Sequence, residues 1–104
     1  MEVRNVKVTE VGPRDGFQSE RTILNTKDKV EIINNLIDAG FPRIEVSSFV
    51  SPKAIPQLAD AAEILEKVNR NKNTTLAALV PNARGAIRAV DAKIDEIVVF
   101  LSAS

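Results

Sequence analysis

An apolar segment breaks into a charged loop at the stretch Glu10-Val-Gly-Pro-Arg-Asp-Gly-Phe-Gln-Ser-Glu20. Gly12-Pro13 is expected to end a first strand at Val3–Val11, so Arg14 and Asp15 would stand just beyond its carboxyl end. Ligands collect at this end of the strands in parallel α/β proteins. A guanidinium beside a carboxylate in this place therefore indicates a functional site, in which Asp15 could hold a divalent cation or a proton.

Strand and helix patterns alternate along the rest of the chain. The predicted elements are a helix capped by Thr26 and stopped by Gly40, a strand at Arg43–Ser48, a helix that starts at Pro56, a strand at Thr75–Val80, a helix from Asn82 to about Ala92, and a strand at Ile94–Leu101. The order βαβαβαβ predicts right-handed crossovers and a parallel α/β sheet covered by helices.

Length and composition limit the function classes. A chain of 104 residues makes one domain, residues 1–104. Its 14 basic and 14 acidic side chains cancel, which indicates neither a nucleic-acid partner nor an anionic membrane surface. No apolar run approaches the roughly 20 residues that span a bilayer, and no signal peptide is visible at the start, so we expect a cytoplasmic protein.

The chain contains neither cysteine nor histidine. Disulfides, thiolate metal sites and a thiol nucleophile are therefore excluded within these residues. Acid-base chemistry and metal binding must depend on carboxylates, lysine, amides or hydroxyls.

A second charged position lies in the strand that contains Ile44-Glu-Val-Ser-Ser-Phe-Val50. Glu45 would face solvent if this strand were at the edge of the sheet. If the strand is interior, the buried carboxylate needs a partner, and Arg14 is the natural candidate. The two strand ends would then share one polar site.

Each motif also has a plain structural explanation. Pro13–Gly16 could be only a turn, because Pro, Asp and Gly all favour turns. The serines of Ser47–Lys53 could cap helices or hold loops. Asn82 could act as a helix cap and Arg84 could be solvated, which would explain them without a ligand.

The motifs together resemble those of hydroxymethylglutaryl-CoA lyases of the DRE-TIM metallolyase superfamily. The similarity is carried by Glu10-Val-Gly-Pro-Arg-Asp-Gly-Phe-Gln18, by Ile44-Glu-Val-Ser-Ser-Phe-Val-Ser-Pro-Lys53 and by Ala77-Ala-Leu-Val-Pro-Asn-Ala-Arg-Gly85. It implies a TIM-type barrel with its site at the C-terminal rim. Since such a barrel needs eight strands and about 250 residues, four strands are expected to be its N-terminal half.

The resemblance also implies roles for single residues. Asp15 would bind a divalent cation, Mg²⁺ or Mn²⁺, and Arg14 would stabilise the enolate of the departing acetyl-CoA. Glu45 would bond to this pair and orient it, while Gln18 and Ser48 would lie near the acyl-CoA substrate. Cleavage of 3-hydroxy-3-methylglutaryl-CoA would give acetoacetate and acetyl-CoA, in leucine breakdown or in ketone-body formation.

Two departures from the family pattern concern the rim. The chain has Ala54 where the family has an aromatic residue, and Phe17 where it has leucine. The family's remaining metal ligands, two histidines and an asparagine, and a cysteine on a mobile loop come from later strands. We therefore expect the 104 residues alone to be inactive.

Two other hypotheses remain open at this stage. The chain could be a half-barrel interaction module that covers its sheet edges by self-association or by pairing with another half, because open edges invite partner strands. It could also belong to another acyl-CoA aldolase or synthase of the same superfamily.

Overall fold

The computed structural model describes residues 9–16, 24–51, 53 and 55–99, without the side chain of Asp15. Its elements are strand β1 at Thr9–Glu10, a single π-helical turn at Gly12–Gly16, helix α1 at Thr26–Asp38, strand β2 at Arg43–Ser48, a 3-10 turn at Pro56–Leu58, helix α2 at Ala61–Lys67, strand β3 at Thr75–Val80, helix α3 at Ala83–Asp91, and strand β4 at Glu96–Val99. The alternating order agrees with the prediction.

The four strands form one parallel sheet in the order β1-β2-β3-β4. Each strand therefore lies beside its neighbour in sequence, with a helix in the connection after the first three. All four carboxyl ends consequently lie at one edge, where the loop after β1 and the loop after β2 meet.

The hydrophobic core lies between one face of the sheet and the helices. Ile44 and Val46 of β2 are fully buried there against Ile33 and Ile37 of α1. The same cluster includes Phe49, Ile64, Leu65, Leu76, Ala78, Val80 and Ala89. We call this helix-covered side the outer face of the sheet and the opposite side the inner face.

The helix ends agree only in part with the predicted caps. Asn25, and not Thr26, caps α1, because its Oδ1 accepts a 2.8 Å hydrogen bond from the Asp28 amide. Both residue types are good N-caps, so the sequence alone did not separate the two neighbours. Gly40 follows α1 with φ +91°, a left-handed conformation that favours glycine.

The segment after β2 differs more from its prediction. Pro56 begins a 3-10 turn, and the α-helix proper starts only at Ala61. Ala61, Ile64 and Leu65 of this helix are buried, whereas Ala62 is exposed. β4 begins two residues later than predicted, at Glu96, and the predicted residues 100–101 of β4 lie outside the described residues, as does the predicted portion of β1 before Thr9.

No helix in the described part of the chain has the length and apolar character needed to cross a membrane.

Candidate active site

The turn after β1 is held by its own backbone and by one carboxylate. Glu10 Oε1 accepts a 2.8 Å hydrogen bond from the Gly12 amide. The Arg14 amide donates to the Val11 carbonyl oxygen at 3.1 Å. These two bonds fold the chain back directly after the strand and bring Arg14 over the carboxyl end of β2.

Arg14 and Glu45 form an ion pair at this edge. Arg14 Nε donates to Glu45 Oε1 at 3.3 Å. The Glu45 side chain is 10% exposed and that of Arg14 is 22% exposed. Because β2 is an interior strand, the carboxylate needs a charged partner, and Arg14 supplies one, as predicted.

A bulge in β2 decides which residues accompany Glu45 on the inner face. Glu45 pairs with Ala77 and Ser47 pairs with Ala78, so Val46 is an extra residue in β2 relative to β3. In a regular strand, residues 45 and 48 would point to opposite faces. The extra residue restores Ser48 to the side of Glu45, and both side chains line the same cavity.

That cavity has a volume of about 380 Å³ and lies above the carboxyl ends of the strands. Polar groups come from Arg14, Glu45 and Ser48, and apolar walls from Val50, Ile55, Leu79, Pro81 and Val98. A larger cavity of about 660 Å³ lies between α2 and α3 and contains neither Arg14 nor Glu45. The smaller cavity is the candidate active site, because the charged pair opens into it where parallel sheets bind ligands.

The remaining predicted site residues are described to different degrees. Ser48 is buried in the cavity wall, close to the ion pair. Asp15 belongs to the turn at Gly12–Gly16, but its side chain lies outside the description, and so does all of Gln18. Their assigned roles stay predictions.

A second charged group lies on the inner face nearer the amino ends of the strands. Both outer nitrogens and Nε of Arg43 are engaged, since Nη1 donates to Thr9 Oγ1 at 3.2 Å, and Nη2 and Nε donate to the Glu96 carboxylate at 3.1 Å each. The inner faces of β1, β2 and β4 are thereby joined below the cavity.

Sequence reasoning missed a buried lysine behind the cavity wall. Lys29 of α1 is 1% exposed, and its Nζ lies 2.8 Å from Asp60 Oδ1. The helical spacing of the sequence could have indicated its burial. Lys29 stands four and eight residues before the buried Ile33 and Ile37, so it lies on the core face of α1. The apolar cavity residues Leu79 and Val98 were also missed, since their inward direction depends on register.

The chain belongs to the HMGL-like family, whose family model matches residues 5–104. It is 48% identical over 99 residues to the mitochondrial hydroxymethylglutaryl-CoA lyase of Arabidopsis thaliana, and 48% identical over 101 residues to the hydroxymethylglutaryl-CoA lyase YngG of Bacillus subtilis. These alignments cover 95% and 97% of this chain but only 21% and 34% of the two relatives. The chain thus spans about a third or less of their length.

Solved structures give the same result for the fold. An HMG-CoA lyase from Acinetobacter baumannii, in complex with coenzyme A and 3-methylmalate, matches with TM-score 0.91 and 49% identity over 94% of this chain and 32% of that one. The HMG-CoA lyase from Brucella melitensis matches with TM-score 0.92 and 45% identity over 98% of this chain and 36% of that one. The predicted N-terminal half of a TIM barrel is confirmed, and so is the resemblance to HMG-CoA lyases.

Proposed function

We propose that this chain is the N-terminal part of a hydroxymethylglutaryl-CoA lyase that cleaves 3-hydroxy-3-methylglutaryl-CoA into acetoacetate and acetyl-CoA. The ion pair of Arg14 and Glu45 carries the proposal, because it opens into a cavity at the carboxyl ends of the strands. Membership of the HMGL-like family and the coenzyme A in the A. baumannii complex support an acyl-CoA substrate.

The reaction explains why a guanidinium is needed in the cavity. A base takes the proton of the tertiary hydroxyl, and its oxygen becomes the ketone carbonyl of acetoacetate as the carbon–carbon bond breaks. The bonding electrons move to the thioester fragment as an enolate, which gains a proton to give acetyl-CoA. Arg14 would donate hydrogen bonds to the developing oxyanion. Glu45 would act as a positioning residue, since its hydrogen bond with Arg14 Nε orients the planar guanidinium in the cavity.

The residue types in this part of the site are suitable ligands for a divalent cation. Asp15, next to Arg14 in the turn, offers the carboxylate oxygens that Mg²⁺ and Mn²⁺ prefer. Within the described residues, however, no group of three His, Cys, Asp or Glu could hold a metal ion. We therefore propose Asp15 as one ligand among several, the others coming from outside the described residues. When bound, the cation would polarise the hydroxyl and carboxylate oxygens of the substrate.

The proposal can be tested in a chimera, because the chain matches about a third of the B. subtilis lyase. Residues 1–104 would replace the corresponding segment of that enzyme, and turnover of hydroxymethylglutaryl-CoA would be measured with added Mg²⁺. We expect activity in the chimera and none in the 104 residues alone. Absence of turnover in a folded chimera would contradict the proposal. Robust turnover by the isolated chain would contradict the expectation that the 104 residues alone are inactive.

Two substitutions in the chimera separate the proposed roles. Arg14→Gln should lower kcat by about 10²–10³ with a much smaller change in KM, because oxyanion stabilisation acts in the transition state. Glu45→Gln should lower kcat by about 10–100-fold, as expected for an orienting partner. Lys72→Gln, which removes an exposed cation from the turn before β3, is the control and should leave both constants unchanged. Equal losses of kcat and affinity in Arg14→Gln would argue against the oxyanion role.

A second candidate function is that of an interaction module that pairs with itself or with another half-barrel. Val99 at the edge strand β4 is 63% exposed, and Ile87 and Val90 of α3 are each 64% exposed. These apolar side chains favour a covering partner. Sedimentation equilibrium of the isolated chain tests this candidate, because a folded monomer at micromolar concentration would contradict it.

The cytoplasmic location also stays a prediction, since named relatives include mitochondrial enzymes.

A further inference from the structure

The buried Lys29 ends near the wall of the candidate active site. A lysine is almost never fully buried unless its ammonium is paired, because removing the charge from water is costly. Here the stem of Lys29 lies on the core face of α1, in line with Ile33, and its Nζ reaches α2 across the layer of helices. The pairing therefore joins two helices that follow different strands.

Hydrogen bonds from the first turn of α1 make this junction. Lys29 Nζ donates to Asp60 Oδ1 at 2.8 Å and also to the backbone carbonyl oxygen of Gln57. Thr26 Oγ1 donates to the second carboxylate oxygen of Asp60 at 2.7 Å. Asp60 directly precedes the first residue of α2, so the start of α1 is tied to the start of α2.

The same junction is two residues from the cavity. Ile55, which lines the cavity, precedes the 3-10 turn that contains Gln57. Leu58 donates its amide to the Ile55 carbonyl at 3.1 Å, and the Ile55 amide donates to the Ser51 carbonyl at 3.3 Å. A cation on the carbonyl of Gln57 therefore fixes the turn from which Ile55 projects.

The other end of this wall is held from α3. Arg88 Nη1 donates to the carbonyl oxygen of Val50 at 3.4 Å, and the Phe49 amide donates to Leu79 at 2.9 Å. Phe49 and Val50 are thus held by β3 and α3 at one end of this wall, and Gln57 is held by Lys29 at the other. Loss of the second attachment would release Ile55 and leave Val50 in place.

We propose that Lys29 is a positioning residue of the candidate active site, which holds Ile55 in the cavity wall through Gln57 and Asp60 and so sets the width of the cavity. The inference deepens the proposed function and rests on it, because this cavity is the one proposed to take the acyl-CoA substrate. Lys29 itself does not line the cavity.

Amide hydrogen exchange and methyl NMR of the 104-residue chain test the proposal. In Lys29→Met we expect exchange of the Ile55, Leu58 and Ala59 amides to accelerate by about tenfold, because the charged group that bonds to Gln57 behind the wall is lost. The Ile55 methyl resonance should shift. Global unfolding also breaks this junction, so the amides of β3 should accelerate by an amount that matches the loss of global stability. Lys29→Arg, which keeps a cation, should restore most of the protection.

Lys27→Met is the matched control, because Lys27 lies on the same helix and is exposed. The proposal is overturned by unchanged exchange at Ile55 in Lys29→Met, by an unshifted Ile55 methyl resonance, or by the same local effect in the control. If Lys29→Met does not fold, Asp60→Asn removes the same pair from the other side and is judged by the same criteria. None of these readouts requires turnover, so a failure of the proposed lyase activity would remain distinguishable.

Discussion

The two faces of the sheet differ in what they contain, although the same strands build them. On the outer face, Ile44 and Val46 of β2 are buried in an apolar core. On the inner face, the same strand presents Glu45 and Ser48 to a cavity, with Arg14 above them. Neighbouring residues of β2 therefore serve stability and chemistry separately, so substitutions at Ile44 and at Glu45 should have different effects.

The largest effect on stability is expected from the outer face. Ile44→Ala should lower the free energy of unfolding by about 2–5 kcal/mol, because it removes buried apolar atoms and leaves a cavity. Urea denaturation of the isolated chain measures the change. A loss below about 1 kcal/mol would show that the outer face is less tightly packed than its burial indicates.

A substitution of Gly85 tests how closely α3 packs against Phe49, the residue that follows β2. A Cβ at this position would lie 2.5 Å from the Phe49 carbonyl oxygen, which is a backbone atom that cannot rotate away. Gly85→Ala should therefore destabilise the chain by about 1–3 kcal/mol from overpacking, more than the gain in helix propensity of about 1 kcal/mol. Gly16→Ala is the control, because nothing lies within 4 Å of its added Cβ. A net stabilisation by Gly85→Ala would contradict the close approach of Gly85 to the Phe49 carbonyl oxygen.

A smaller loss of stability is expected one residue from Ile44, on the inner face. Glu45→Gln should lower the free energy of unfolding by only about 1 kcal/mol, because the pair with Arg14 is partly screened by solvent and the amide still accepts a hydrogen bond. The same urea experiment measures it. A cost equal to that of Ile44→Ala would mean that the inner face also carries much of the stability.

The smallest effect is expected at the surface pair of Glu63 and Lys67 in α2, which lie 2.8 Å apart. The hydrogen bond from Lys67 to Glu63 raises the pKa of the lysine above its ordinary value, so Glu63→Gln should return that pKa towards the ordinary value. A raised pKa stabilises the folded chain below the unfolded-state pKa, and this contribution is lost as pH rises through the folded pKa. NMR titration of the Lys67 side chain measures the shift, and an unchanged pKa would contradict it.

The order of strands and helices could be predicted from the sequence because apolar periodicity and turn residues are local signals. The pair of Arg14 with Glu45 also followed, since a charge in an interior strand demands a partner. The cavity walls did not follow. The inward direction of Leu79 and Val98 depends on the register between strands, and the pairing of Lys29 depends on how two helices pack.

Because of the extra residue at Val46, the pairing of β2 with β3 decides which side chains line the cavity. If β2 kept its sequence but paired with β3 without this bulge, Val46 would lie opposite Ala78. The buried hydroxyl of Ser47, which has no hydrogen-bond partner among the described residues, would then take the place opposite Leu79 that Ser48 now holds. A shift of the pairing by one residue can therefore change the group at this rim without replacing any amino acid. A comparison of relatives by aligned letters alone would overlook such a change in the chemistry at the strand ends.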